Sequence, residues 1–215
     1  MSLDVFAPGV KSGTEILDAI HYAIDHGAKV VNMSLGLNYK ANTSDLLKHD
    51  VEAMYKSAFQ KAYDNDVFIA VAAGNEGDRM GDLEHFENAG NMDIYSSAPA
   101  YFSEEFSNIA SVISSNSIAS RAPYSNYGRK ISIAAPGGDV SRSELIYNPQ
   151  YGEPGQPIEA TLNYGILSTL PVGQGDPMFG NNYGMNQGTS MAAPVISGMA
   201  TLIRSANSSI TAPET

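Results

Sequence analysis

No cysteine occurs among the 215 residues, which excludes disulfides and thiolate metal sites and leaves the redox compartment unread. Basic residues are scarce: 12 Lys and Arg stand against 23 Asp and Glu, a formal net charge of −11. That balance disfavours a phosphate-binding surface, and nucleic acid is not an expected partner. Long apolar runs are missing too. No stretch approaches the ~18 residues of a membrane helix, so no membrane partner is expected. The start, "MSLDVFAPGV", has neither the basic nor the apolar region of a signal peptide. No G-x-G-x-x-G or G-x-x-x-x-G-K-[ST] follows a strand pattern, which argues against a nucleotide-binding α/β domain using "VAAGNEG" as a phosphate loop. No D-x-D-x-D loop offers a calcium site, and carboxylates such as Asp64, Asp66, Glu104 and Glu105 are expected to be simply solvated.

What is present is 43% hydrophobic and 16% charged, enough for one good-sized core and marginal for two. "SGTEILDAIHYAIDHG" places Ile16, Leu17, Ile20, Ala23 and Ile24 on one helical face, with Gly27 at its stop. "AKVVNMSLG" follows as a short buried strand. Leu47, Val51, Met54, Tyr55, Ala58 and Ala62 mark a second helix, and "DVFIAVAAGNEG" a second buried strand ending in a glycine turn. Alternation of helix and buried strand predicts an α/β fold with an open, mainly parallel sheet and helices on both faces. Residues 77–107 read as a long loop region, "NIASVISS" and "KISIAAPG" as two more strands, 138–164 as a turn-rich excursion, and "GILSTL" as a last strand. The final helix carries Val195, Ile196, Met199, Ala200, Leu202 and Ile203, apolar around most of its circumference, and is expected to be buried.

Ser190 starts that helix. Serines at helix starts are common caps, and the lipase-type G-x-S-x-G is not met because Ala192 holds the fifth position. Free N–H groups and the dipole at a helix start also favour developing negative charge. Pro194 lies four residues on and removes the hydrogen bond that the Ser190 carbonyl would accept. The run as a whole, "GTSMAAPVISG", resembles the nucleophile motif of the subtilisin-like serine proteases, the subtilase family. Val195 departs from it, since a histidine usually follows the proline there. "VAAGNEG" resembles the stretch whose asparagine supplies the oxyanion hole, pointing to Asn75, with Ala73 and Gly74 beside the substrate. "VVNMSLG" resembles the strand that pairs with substrate backbone, pointing to Ser34, Leu35 and Gly36. "YSNYG" and "ISIAAPG" resemble family sequence as well. Residues 38–48 and 77–97 look longer than in compact members, the second where the specificity pocket closes.

The resemblance implies a three-layer, subtilisin-like sandwich, a peptide or protein substrate, no obligatory cofactor, structural calcium in many members, and action outside the cell or at the envelope. It also implies an aspartate and a histidine upstream, in D-[ST]-G and H-G-T-H motifs. Neither motif occurs. Of the four histidines, His21 and His26 fall in a helix pattern and His49 and His85 in polar stretches; His26 is expected at the last carbonyls of its helix. Residues 1–3 look like a start added for expression, and 4–215 are expected to be a partial catalytic domain, truncated at its N-terminus. Ser190 is then a nucleophile whose partners lie on the missing N-terminal part, and the exposed edge is expected to promote self-association. The alternative is a natural pseudoprotease or peptide-binding domain of the same fold.

Overall fold

Apolar spacing of three and four closes the first helix, α1 (Thr14–Asp25), around buried Ile20, Ala23 and Ile24. It stops at Gly27, whose φ is +80°. The Gly27 N–H bonds Ile24 O and the Ala28 N–H bonds Ala23 O, both at 3.0 Å, the paired closure that a left-handed residue permits. His26 turns back on α1, its Nδ1 2.8 Å from Tyr22 O and its ring stacked on Tyr22, as expected of a helix-terminal histidine. The protein, seen in a computed structural model, is described over residues 1–6, 14–40, 45–77, 90–139, 142–146, 158–162, 164–175 and 182–215. His85 lies outside the described residues.

After α1 come β1 (Val30–Met33), β2 (Leu37–Lys40), α2 (Asp45–Asp64), β3 (Phe68–Ala72), β4 (Tyr95–Ala98), β5 (Ile109–Ser115) and β6 (Ile133–Pro136). The order β1-β3-β5-β6 forms one sheet, and all three of its pairings are parallel. All five β3 residues are buried, and their alternation sorts them to two faces. Ile69 and Val71 join a core with Ile20 and Ile24 of α1 and Ala58, Phe59 and Ala62 of α2. Phe68, Ala70 and Ala72 join the other core with Ala192, Ala193, Ile196 and Ala200. Those four belong to α3 (Thr189–Ala206), so the sheet is sandwiched between helices. The expected three-layer α/β architecture is what the chain forms.

Three differences from the sequence reading have physical reasons. Within 77–107, read as loop, β4 pairs antiparallel with β2, and Ala100–Glu104 form a 3-10 turn. Four-residue strands such as "YSSA" are too short to show a period. The excursion at 138–164 contains a ribbon of β7 (Arg142–Ile146) and β8 (Ile158–Leu162), and "GILSTL" becomes β9 (Ile166–Thr169), which pairs with β10 (Tyr183–Asn186) outside the main sheet. Last, α3 is not buried all round. Its small residues face the sheet, while Val195, Met199, Leu202 and Ile203 are exposed, Leu202 by 71%. Apolar composition on that outer face shows what the helix is suited to meet, not what covers it here.

The carboxylates are not simply solvated either. Glu105 pairs with Lys56 and Glu104 with Lys130. Asp66 does more. Helix α2 ends as α1 does, with the Asp66 N–H on Tyr63 O and the Val67 N–H on Ala62 O, but its left-handed residue is an aspartate at φ +58°. The carboxylate that this position carries accepts the Ala212 N–H at 2.6 Å and pairs with Arg204, tying the C-terminal turn and the end of α3 to the start of β3. Desolvation raises the Asp66 pKa, but the Ala212 N–H and the Arg204 guanidinium outweigh it, and the net displacement is below the ordinary 3.8. A lowered carboxylate pKa contributes stability that is present above 3.8 and lost as pH falls through the folded value. Asp66→Asn is therefore expected to melt below wild type at neutral pH, the gap closing below about pH 4. Paired melting curves across that range check it, and a gap independent of pH would refute the assignment.

Candidate active site

Three parallel strands deliver their carboxyl ends to the same edge of the sheet, where α/β folds place their ligands. β1 runs into Ser34, Leu35 and Gly36, β3 into Ala73, Gly74 and Asn75, and β6 into Gly137. Helix α3 starts at this edge, with Ser190 as its second residue.

The bland reading of Ser190 as a cap fails on geometry. The capping position is Gly188, which makes no side-chain cap bond. Instead of accepting from the first turn, the Ser190 hydroxyl donates to Ser34 O at 3.3 Å. The Ser34 hydroxyl in turn donates to Ser190 O at 2.7 Å. Among the described residues the Ser190 backbone N–H has no acceptor, and no histidine bonds the Ser190 hydroxyl.

Asn75 lies 114 positions before Thr189, the neighbour of Ser190, and is joined to it. The Asn75 carboxamide oxygen accepts the Thr189 N–H at 2.9 Å and the Thr189 hydroxyl at 3.1 Å. That hydroxyl accepts the Gly74 N–H at 3.1 Å. Thr189 is fully buried, so this staple is shielded from water. Anchoring the oxygen also fixes which way the carboxamide NH2 faces. Gly74 is required here: its φ is +107°, and a Cβ would stand 2.4 Å from Asn126 Nδ2 and 2.6 Å from Glu76 Oε2. Asn126 is buried and ties the loop together, donating to Ala73 O at 2.8 Å and Glu76 Oε2 at 3.0 Å while accepting the Glu76 N–H at 2.8 Å.

A second support stands behind the helix start. The Gly188 N–H bonds Gly137 O at 2.9 Å. The Tyr124 hydroxyl lies 2.8 Å from Gly137 O and 2.7 Å from Ser114 Oγ. Burial raises the Tyr124 pKa above 10.0, so the phenol keeps the proton it donates.

Of the residues that the resemblance assigns to the substrate, Gly36 sits against strand ends, where a Cβ would meet Ala98 O at 3.4 Å and Ser97 Oγ at 3.8 Å. Leu35 turns its side chain into the α1/α2 core, so only its backbone can face the cleft. Sequence reasoning missed Thr189, Asn126 and the Ser34 side chain. Thr189 was visible only as a letter of the motif, and Asn126 as a turn residue in "YSNYG". His21 is on α1, His26 is the residue that follows its end, and His49 is within α2. Among the described residues no group of three or more His, Cys, Asp or Glu could hold a metal ion.

A parallel α/β sandwich with a serine at a helix start, an asparagine stapled beside it and a strand end alongside defines a class of hydrolase-like sites. The model of the subtilase family (Peptidase_S8) matches residues 1–215, and the chain belongs to that family. It is 32% identical over 183 residues to an extracellular basic protease of Dichelobacter nodosus, covering 85% of this chain and 21% of that one. It is 31% identical over 191 residues to the major intracellular serine protease of Bacillus subtilis (strain 168), covering 88% and 41%. The crystal structure of a lanthipeptide protease matches 95% of this chain and 56% of that one, with a TM-score of 0.66 and 26% identity. The chain thus spans between about a fifth and two fifths of the length of these two curated relatives.

Proposed function

We propose that this chain carries the nucleophile half of a serine endopeptidase site. Ser190 gives its proton to a base and attacks a peptide carbonyl, while the Asn75 NH2 and the Ser190 N–H receive the oxygen that turns negative. The C–N bond then breaks, the amine leaves with that proton, and the acyl-enzyme remains. The backbone of Ser34, Leu35 and Gly36 and the turn at Ala73 and Gly74 flank the substrate chain. The observation that carries this reading is the Thr189 staple, which fixes the Asn75 carboxamide one residue from Ser190. Neutral donors fixed before the reaction stabilise an oxyanion without reorganising.

The base comes from polypeptide beyond residues 4–215. Among the described residues β1 is paired on one side only, and Val195, Met199, Leu202 and Ile203 on the outer face of α3 offer apolar surface that such a segment would cover. On the other side of the sheet, a groove of about 520 Å³ between α1 and β1 is lined by Ile16, Ile20, Val31 and Leu35 together with Leu3 and Val5 of the chain's own first residues. The relatives' names carry two locations, extracellular and intracellular. Extracellular action is proposed for this chain on the family resemblance.

The test is hydrolysis of a chromogenic peptide by this chain alone and by the chain joined to its natural upstream sequence. The chain alone is expected to show no turnover and the joined form full turnover. A joined form that binds peptide without cleaving it would establish the pseudoprotease reading instead. Alone, the chain is also expected to self-associate, because an apolar face beside an unpaired strand edge is a template for a second copy. Met199→Lys with Leu202→Lys should shift its sedimentation toward monomer. A wild-type monomer at high concentration would show that this face needs no cover.

A further inference from the structure

The hydroxyl of Ser34 has a task separate from its backbone, and the reason is Pro194. In an α-helix the carbonyl of residue i accepts the N–H of residue i+4. Ser190 O would accept from residue 194, but proline has no N–H. The Ser34 hydroxyl fills that vacancy at 2.7 Å. Its orientation is set from behind: Asn32 Nδ2 donates to Ser34 Oγ at 3.0 Å, which occupies the hydroxyl as an acceptor and leaves its proton for Ser190 O. Asn32 Oδ1 in turn lies 3.2 Å from the Ser197 hydroxyl, whose proton is shared with Ala193 O. Residues 190 and 197 are two turns apart on one helical face, and residues 32 and 34 share one side of an extended segment. Two points on the helix are therefore bracketed by two points at the end of β1.

We propose that Ser34, oriented by Asn32, is a positioning residue for Ser190: its side chain supplies the donor that Pro194 removes and so fixes the helix turn that presents the nucleophile. This rests on the endopeptidase reading above and adds to it a function for the Ser34 side chain. The device joins two properties that otherwise conflict. A proline in the first turns of α3 frees the Ser190 carbonyl from the helix, and the strand end then takes hold of it. The nucleophile is thereby located relative to the strand proposed to hold the substrate, and not only relative to its own helix.

The test is a cycle of four proteins: wild type, Ser34→Ala, Pro194→Ala and the double variant, with Ser34→Thr as the conservative control. On the chain as it stands, Ser34→Ala is expected to lower the melting temperature by about 2–4 °C. With the N–H restored by Pro194→Ala, the same change should cost less than half of that. In the joined, active form, Ser34→Ala should lower kcat about tenfold with KM unchanged, a loss of transition-state placement and not of binding. Ser34→Thr and the Pro194→Ala background should each recover most of it. Equal losses in both proline backgrounds, or a KM effect without a kcat effect, would overturn the proposal. If the melting cycle is coupled but wild type never reacts at Ser190, the endopeptidase reading falls and takes the catalytic half of this proposal with it, while the bracket itself stands.

Discussion

Replacing Ser190 by alanine in the joined, active form is expected to lower kcat by about a millionfold, to the level left by binding and oxyanion stabilisation alone. That size is the one measured for the corresponding losses in subtilisin, a relative. Its cause is local. A serine hydroxyl is a weak nucleophile until a base within hydrogen-bond reach takes its proton. In this chain the hydroxyl spends that proton on the Ser34 carbonyl at 3.3 Å, an acceptor with no capacity to carry it away. Ser190→Ala should therefore change nothing measurable in the isolated chain beyond a small shift in melting, yet abolish turnover once the base is present. Steady-state kinetics on both forms check the pair of outcomes. Turnover in the isolated chain that Ser190→Ala removes would mean that a base is already present.

The second large effect is at Asn75, where two substitutions separate its two ends. Asn75→Ala removes the acceptor of the Thr189 N–H and hydroxyl together with the NH2 donor, so both stability and kcat should fall. Asn75→Asp keeps an acceptor for Thr189 and loses only the donor, while adding negative charge where an oxyanion must form. It is expected to melt close to wild type and to lower kcat by at least the hundred- to thousandfold that loss of such a donor costs in subtilisin, again a relative's magnitude. Melting and kcat measured on both variants decide the matter. Asn75→Asp with ordinary kcat would reduce Asn75 to a structural staple.

The layers of the fold were legible because α1, α2, β1, β3, β5 and β6 each carry a period or a buried run that a single physical rule reads. The strands that were not foreseen as pairs, β2 with β4 and β7 with β8, are four or five residues long, and the partner of β2 lies far along the chain. Nothing local distinguishes them from turns. The candidate site divided in the same way. Ser190 and Asn75 stood out through the motifs around them, and Pro194 announced an unsatisfied carbonyl. What would satisfy it could not be read, because Ser34 is 156 residues away and only the fold brings it within 2.7 Å. Helix α3 misled for a related reason. An all-round apolar helix predicts what a surface prefers to meet, and Met199 and Leu202 keep that preference while standing in solvent.

Reaction with a serine-directed fluorophosphonate, with the modified residue located by mass spectrometry, tests the central claim most directly. The isolated chain is expected to remain unlabelled, since no base activates Ser190. The chain joined to its upstream sequence should take up one equivalent, all of it on Ser190 and none in Ser190→Ala. Labelling of the joined form at any other serine, or stoichiometric labelling of Ser190 in the isolated chain, would contradict the account of a nucleophile held in place and separated from its base.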